Sequence, residues 1–273
     1  MSGPRILLTG AAGGIGTLLR HTLARDGEIL RLCDIAPMGA AGAGEELAQG
    51  DLADADFTHA LCRDVDAIVH MAGNRKESPW ERLIGPNLIA ATNLWEAARA
   101  NGVKRVVFGS SNHVVGMYPA GEVLDEHDLP RPDSRYAVTK IFVEGLGSLY
   151  ADKFGISSFL IRIGSYEPKP SSLRSLSTWI SPRDLTSIVR VGLDADYHCE
   201  TVFGISRNTR AWCDNSRAFA LGYDPQDDAE DYRADIDPEA GPVGAVAEAL
   251  QGGGSAAKEF AGDLDMLRRR GRR

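Results

Sequence analysis

Nowhere in the 273 residues does an apolar run approach the roughly 18 residues that a membrane-crossing helix needs. No leader of basic then apolar residues is visible, because Met1–Pro4 runs straight into a strand-like segment. The four cysteines, Cys33, Cys62, Cys199 and Cys213, never fall at Cys-x-x-Cys spacing, so they are expected to pack in a reduced, cytoplasmic protein. The six histidines are scattered without a ligand-like cluster, which argues against a metal site. A surplus of positive charge is missing as well. The formal net charge of -8 argues against a nucleic-acid partner and against attraction to acidic membranes. The one basic run, Arg268-Arg269-Arg270-Gly271-Arg272-Arg273, closes the chain and reads as a frayed, solvated tail. Internal repeats and low-complexity segments are absent, and Gly252-Gly253-Gly254 suggests a mobile C-terminal stretch.

What is present is an ordinary globular composition, 43% hydrophobic and 25% charged, in a chain long enough for one large α/β domain with a modest appendage. Arg5–Thr9 reads as a buried strand, followed by Gly10-Ala11-Ala12-Gly13-Gly14-Ile15-Gly16 and an amphipathic helix to about Asp26. Glycines at 10, 13 and 16 permit a tight turn and close approach of a pyrophosphate to helix N-terminal N–H groups, here including those of Gly14 and Ile15. A strand before, a helix after and a second strand over Glu28–Asp34 turn this loop into a dinucleotide-binding signature. Asp34 stands about 20 residues past the glycines, where a carboxylate accepts from the adenosine ribose and repels a 2′-phosphate. Neither Ile35 nor its successors offer a cation for such a phosphate, so NAD is expected over NADP.

Beyond a Gly/Ala loop at 39–44, Asp51-Leu52 is expected to end a third strand beside the adenine; an N-cap for the next helix is the equal alternative. Ala67–His70 reads as a fourth strand, with Met71-Ala72-Gly73 letting backbone pass the cofactor. A helix over Asn87–Ala100, a fifth strand over Lys104–Gly109, a helix over Ser134–Phe154 and a sixth strand over Ser157–Ile163 follow. The alternation predicts an α/β fold, a Rossmann-type doubly wound parallel sheet over 1–164, with a small C-terminal substrate-binding cap and tail over 165–273 as one integrated unit. The cap is expected to hold an irregular Ser165–Trp179 stretch, a helix near Pro182–Leu193, a strand near Thr201–Ile205 and a helix near Asn215–Leu221.

Tyr136-Ala137-Val138-Thr139-Lys140 places a phenol and an ammonium one helical turn apart. A free phenol, with a pKa of about 10, is a poor base at neutral pH. A neighbouring ammonium stabilises the phenolate, and so does a positively charged nicotinamide, making a proton acceptor suited to a hydroxyl that loses hydride from the same carbon. The fifth strand delivers Ser110-Ser111-Asn112-His113 at its carboxyl end, the edge where ligands sit in such sheets.

Gly10/Gly13/Gly16 with Asp34, Ser111, and the Tyr136/Lys140 pair together resemble the extended branch of the short-chain dehydrogenase/reductase family, which is NAD-dependent epimerase/dehydratase-like, over about Arg5 to Ile163. The resemblance implies that Ser111 and Tyr136 hold a substrate hydroxyl, that Lys140 binds the nicotinamide ribose, and that Asn87 supports the active site. The strings Ser110–His113, Arg162–Ser165, Arg174–Trp179 and Trp212–Ser216 are similar to those of members that oxidise hexuronates. Oxidation of D-galacturonate or D-glucuronate at C1 to an aldarolactone is what this implies. Arg174 would then clamp the sugar carboxylate. Asn112, His113 and Ser165 would bond ring hydroxyls; a satisfied structural histidine is the alternative for His113, and its position favours substrate contact. Tyr166 either lines the nicotinamide pocket or packs as a core ring. Arg75, where relatives carry a small hydroxyl residue, either adds a cation over the substrate or swings to solvent. The partner expected is a small hexuronate, with the protein a homo-oligomer. A nucleotide-sugar epimerase or dehydratase with tightly held NAD is the rival, and a non-catalytic NAD-sensing regulator a further one, opposed by the intact Ser111/Tyr136/Lys140 set.

Asp34 generates a direct test. Steady-state kinetics with both cofactors should show a strong preference for NAD, because a carboxylate facing a 2′-phosphate costs binding. Equal efficiency with NADP would mean that the second strand does not end where it was placed.

Overall fold

A computed structural model describes residues 3–237, 240–241 and 243–270. The strand β1 (Arg5–Thr9) has apolar residues facing both ways and is buried. The glycine loop leads into α1 (Gly14–Thr22), which stops short of the expected Asp26, before a turn at Gly27 with φ +86°. β2 (Ile29–Asp34) and β3 (Glu45–Gln49) follow. β3 ends before Asp51, and Asp54, not Asp51, caps α2 (Ala55–Leu61) by accepting from the amides of Asp56 and Phe57. Asp51 instead turns the chain locally, its Oδ1 accepting from Ala53 N at 2.9 Å. Both sequence alternatives for Asp51 are thereby corrected: it neither ends the strand nor caps the helix.

β4 (Ala67–His70) leads to a π-turn over Ile84–Ile89, where the sequence pattern suggested that a regular helix began at Asn87, and then to α3 (Ala90–Ala100). Pro86 in that turn has no amide hydrogen for the regular ladder. β5 (Arg105–Ser111) runs two residues past the expected end and passes into a 3₁₀ turn over Asn112–Val115. α4 (Arg135–Phe154) and β6 (Ser157–Ile163) lie where the sequence placed them, within one residue. The stretch expected to be irregular contains β7 (Ser165–Tyr166), α5 (Ser175–Thr178) and β8 (Trp179–Ile180), with β7 and β8 paired in parallel. Then come α6 (Pro182–Asp194), β9 (Cys199–Gly204), α7 (Ser216–Ala220), α8 (Ala245–Ala249), α9 (Gly254–Ala257) and α10 (Leu264–Arg269).

The main sheet has the order β3-β2-β1-β4-β5-β6-β9. β3, β2, β1, β4 and β5 run parallel, and the strand order reverses between β1 and β4, the topological switch point of a doubly wound fold. β9 is a strand of this sheet, which corrects its assignment to the cap; a short apolar strand carries no sign of which sheet it joins. The glycine patch is corrected too. Gly252 is buried and donates to Gly116 O at 2.8 Å, with Gln251 N bonded to Tyr118 O at 2.9 Å. Arg268 and Arg269 are exposed as expected but lie on α10, while residues 271–273 of the basic run lie outside the described residues.

Two compact units are formed. The first comprises the chain up to Gly109 with Phe142–Leu160 and Val189–Thr201. Its core holds Leu7, Ile68, Leu94, Trp95, Val106 and Phe108. There His70 is structural, bonded to Thr9 Oγ1 at 2.7 Å and stacked on Phe108. The second comprises Ser110–Ile141, Ile161–Ile188 and the chain from Val202. It has one apolar cluster around Val114, Tyr118 and Phe203 and another around Leu176, Trp179 and Ile236.

Behind Trp179 the second unit is pinned by a buried carboxylate. Asp184 accepts from Ser206 Oγ (2.6 Å), Gln226 N (2.9 Å) and Asp227 N (3.1 Å). Ser206 N in turn donates to Trp179 O, so the anchor supports β8 and its partner β7. Asp184→Ala strands these donors and should cost about 3 kcal/mol, read in thermal denaturation as a melting temperature lower by several degrees. Asp184→Asn, which keeps an acceptor oxygen, should cost less; equal stability of all three proteins would refute this anchoring role.

Candidate active site

The first unit presents a cradle with no room for side chains. Gly10 has φ +73°, and a Cβ there would stand 2.7 Å from Ala72 N, so L side chains are excluded twice over. A Cβ on Gly16 would lie 1.9 Å from Gly10 O, whereas at Gly13 the same oxygen is 3.2 Å away. These clashes are with backbone, so they cannot be relieved by turning a side chain. The first turn of α1 has no side-chain cap at Gly13, which leaves the N–H groups around Gly14 and Ile15 to an anion. Asp34 closes the loop's far side: its Oδ2 accepts from Ala12 N at 3.0 Å and its Oδ1 from Ala36 N at 2.9 Å. Ile35 is 69% exposed beside it.

Leu52 is buried, and its carbonyl accepts from Thr58 Oγ1 and Asn93 Nδ2, each at 3.0 Å. Met71 and Ala72 are half-buried after β4, and Gly73 turns the chain at φ +138°. That turn is held by Asn87, which accepts from Asn74 N at 2.7 Å and donates to Asn74 O at 3.0 Å. Asn87 therefore acts on backbone, fixing the loop in which Arg75 stands exposed. These features fit a dinucleotide: Gly10 and Gly16 admit its backbone-close pyrophosphate, and Asp34 offers an acceptor to a ribose.

The second unit gathers the remaining candidates. Tyr136 and Lys140 share one face of α4, with Lys140 Nζ 5.6 Å from the centre of the Tyr136 ring and Lys140 buried. Ser111, at the end of β5, accepts from His113 N at 3.2 Å and so caps the 3₁₀ turn that holds Asn112 and His113. The His113 ring meets Tyr136 edge-on at 6.4 Å between centroids. Its Nδ1 lies 2.6 Å from Asp133 Oδ2.

Arg174, just ahead of α5, donates from Nε to Gln251 O at 2.7 Å and from Nη1 to Ser165 Oγ at 3.3 Å. Among the described residues its Nη2 meets no acceptor. Burial pulls the guanidinium below its ordinary value, against the pull of the Asp133 and Glu167 charges. Ser165 also shares a hydrogen bond of 2.9 Å with Thr178 Oγ1. Tyr166 is half-buried, and burial raises its phenol.

Two groups escaped sequence reasoning. Asp133 gave only a generic helix-start signal in Pro132-Asp133-Ser134, and the Gln251 carbonyl carries no side-chain signature at all. Within the second unit the fold brings Ser111, Asn112, His113, Tyr136 and Lys140 into one local cluster and pairs Ser165 with Arg174; Gly10–Gly16, Asp34, Asp51, Leu52, Met71–Gly73, Arg75 and Asn87 belong to the first.

A glycine-cradled loop at a sheet switch point, joined in one chain to a Tyr-x-x-x-Lys helix, defines a class. The chain belongs to the NAD dependent epimerase/dehydratase family, whose sequence model matches residues 6–211. Within it the chain is similar to uronate dehydrogenases. It is 46% identical to the uronate dehydrogenase of Pseudomonas syringae pv. tomato over 88% of each chain. It matches the crystal structure of a tyrosine-to-alanine mutant of uronate dehydrogenase from Agrobacterium tumefaciens complexed with NAD. That match has TM-score 0.88 and 43% identity, covering 93% of this chain and 97% of the other. The crystal structure of a glucuronic acid dehydrogenase from Chromohalobacter salexigens matches with TM-score 0.89 and 43% identity, over 96% and 98% of the two chains. The resemblance drawn from the motifs is borne out.

Proposed function

We propose that the protein is an NAD-dependent uronate dehydrogenase that oxidises D-galacturonate or D-glucuronate at C1 to the aldarolactone. The observation that carries this reading is Arg174, a guanidinium oriented from two sides with Nη2 left to a ligand, in the same unit as Tyr136 and Lys140. A planar guanidinium matches a carboxylate, the group that separates a uronate from a neutral hexose. The likeness to named uronate dehydrogenases, one of them complexed with NAD, supports the same conclusion.

Tyr136, with its phenolate favoured by Lys140, takes the proton of the C1 hydroxyl as that oxygen becomes the lactone carbonyl. Ser111 holds the same hydroxyl, and Asn112, His113 and Ser165 orient the ring. Gly10, Gly13, Gly14, Ile15 and Gly16 receive the pyrophosphate and Asp34 the adenosine ribose, while Asn87 keeps the Gly73–Asn74 turn in shape. Bound NAD supplies the acceptor for the hydride leaving C1. The balance is one uronate and one NAD⁺ giving one lactone, one NADH and one proton.

Residues 1–164 serve the nucleotide and the reacting hydroxyl in this reading, and 165–273 complete the sugar site. We place the protein in the cytoplasm as a homo-oligomer, a reading supported by its free cysteines and by the exposed apolar Val138, Phe142 and Leu149 along α4.

Two substitutions test the chemistry. Tyr136→Phe removes the proton acceptor and keeps the ring, so turnover should fall by about two to four orders of magnitude while NAD affinity barely moves. Turnover within a few-fold of the native protein would show that another group is the base. Arg174→Ala should lower kcat/KM for uronates by roughly two to three orders of magnitude, and far less for galactose or glucose. Arg75→Ala is the control; if it erases the preference for uronates while Arg174→Ala leaves it intact, the clamp is Arg75.

A further inference from the structure

Asp133 lies just ahead of the helix that carries Tyr136, with its side chain wholly withdrawn from solvent. Its Oδ1 accepts from Ser134 Oγ at 2.8 Å and its Oδ2 lies 2.6 Å from His113 Nδ1. The space it occupies is made by two glycines. A Cβ on Gly116 would stand 2.0 Å from Oδ2, and one on Gly252 2.1 Å from the same atom. Gly252 N donates to Gly116 O at 2.8 Å, so the two glycines are also tied to each other. The carboxylate is thus walled in by backbone and has little freedom to turn away from the imidazole.

An ionised carboxylate only accepts hydrogen bonds, so the hydrogen in the short contact sits on His113 Nδ1. In the neutral ring Nε2 then has a lone pair and no hydrogen. Among the described residues Nε2 meets no partner, and the ring keeps a quarter of its surface exposed. The backbone beneath the ring is fixed as well, since His113 N donates to Ser111 Oγ and Asp133 N to His113 O.

We infer that Asp133 is a positioning residue of the sugar site: it holds His113 with its hydrogen on Nδ1, so that Nε2 accepts a hydrogen from a sugar hydroxyl. This rests on the uronate reading above and deepens it, because it fixes which partner offers the hydrogen. The pocket then selects a hydroxyl donor at that position, and a ring able to turn or change tautomer would lose the selection.

The test has two parts. Nitrogen-15 NMR of the native protein, with the His113 signals assigned through His113→Ala, should show hydrogen on Nδ1; a neutral ring with hydrogen on Nε2 overturns the inference and needs no variant of Asp133. Kinetics then form a double-mutant cycle. Asp133→Asn, nearly the same shape, should raise KM for uronate by about ten-fold with the KM for NAD unchanged. In the His113→Ala background the same substitution should have no further effect. Full additivity of the two losses would show that Asp133 acts on the fold or on Arg174, and would overturn the proposal. A native protein that does not oxidise uronates sinks the functional reading separately, while the tautomer measurement still decides the role of Asp133.

Discussion

The cluster around Tyr136 and His113 in the second unit is organised by a carboxylate that has nowhere to go. Asp133 is boxed by the backbone of Gly116 and Gly252, and its two oxygens are engaged by Ser134 and His113. Ser134 Oγ in turn accepts from Ala137 N in the first turn of α4, so the helix that presents Tyr136 starts from the same point. The charge of Asp133 also favours the protonated guanidinium of Arg174 against the cost of burial. Arg174 is oriented by the carbonyl of Gln251, the residue before Gly252. One buried anion therefore connects a histidine, the helix that carries Tyr136, a candidate clamp and the chain's C-terminal segment.

Much of the first unit was legible because its constraints are steric and local. Gly10 and Gly16 are required by backbone atoms a few residues away or just past the end of β4, and the apolar runs of β1, β4 and β6 leave little ambiguity of position. Asp34 announces itself by distance from the glycines and ends β2 as expected. Asp51 was harder, since an aspartate before a helix signals a cap, and three residues later Asp54 offers the same chemistry and takes the role.

The second unit was less legible because its contacts are long-range and largely backbone. Gly252-Gly253-Gly254 looks mobile when only composition is considered. In the fold Gly252 is small because Asp133 fills the place of a side chain, and Gln251 reaches Pro119 O and Glu122 O while offering its own carbonyl to Arg174. β9 was assigned to the cap because nothing in Cys199–Gly204 tells which sheet edge receives it. Arg174 was found through a family resemblance, and spacing alone would have left it a solvated arginine. Asp133 was missed because its partner lies 20 residues away across a turn.

The division of labour gives the account its central claim, that hydride leaves C1 of a free hexuronate for NAD while Tyr136 takes the proton. The most direct test is isotopic. Incubated with NAD and a hexuronate carrying deuterium at C1, the protein is predicted to produce NADH with deuterium at the nicotinamide C4 position, one label for each lactone formed. NADH without the label, or a sugar altered at another carbon with no net NADH, would contradict it.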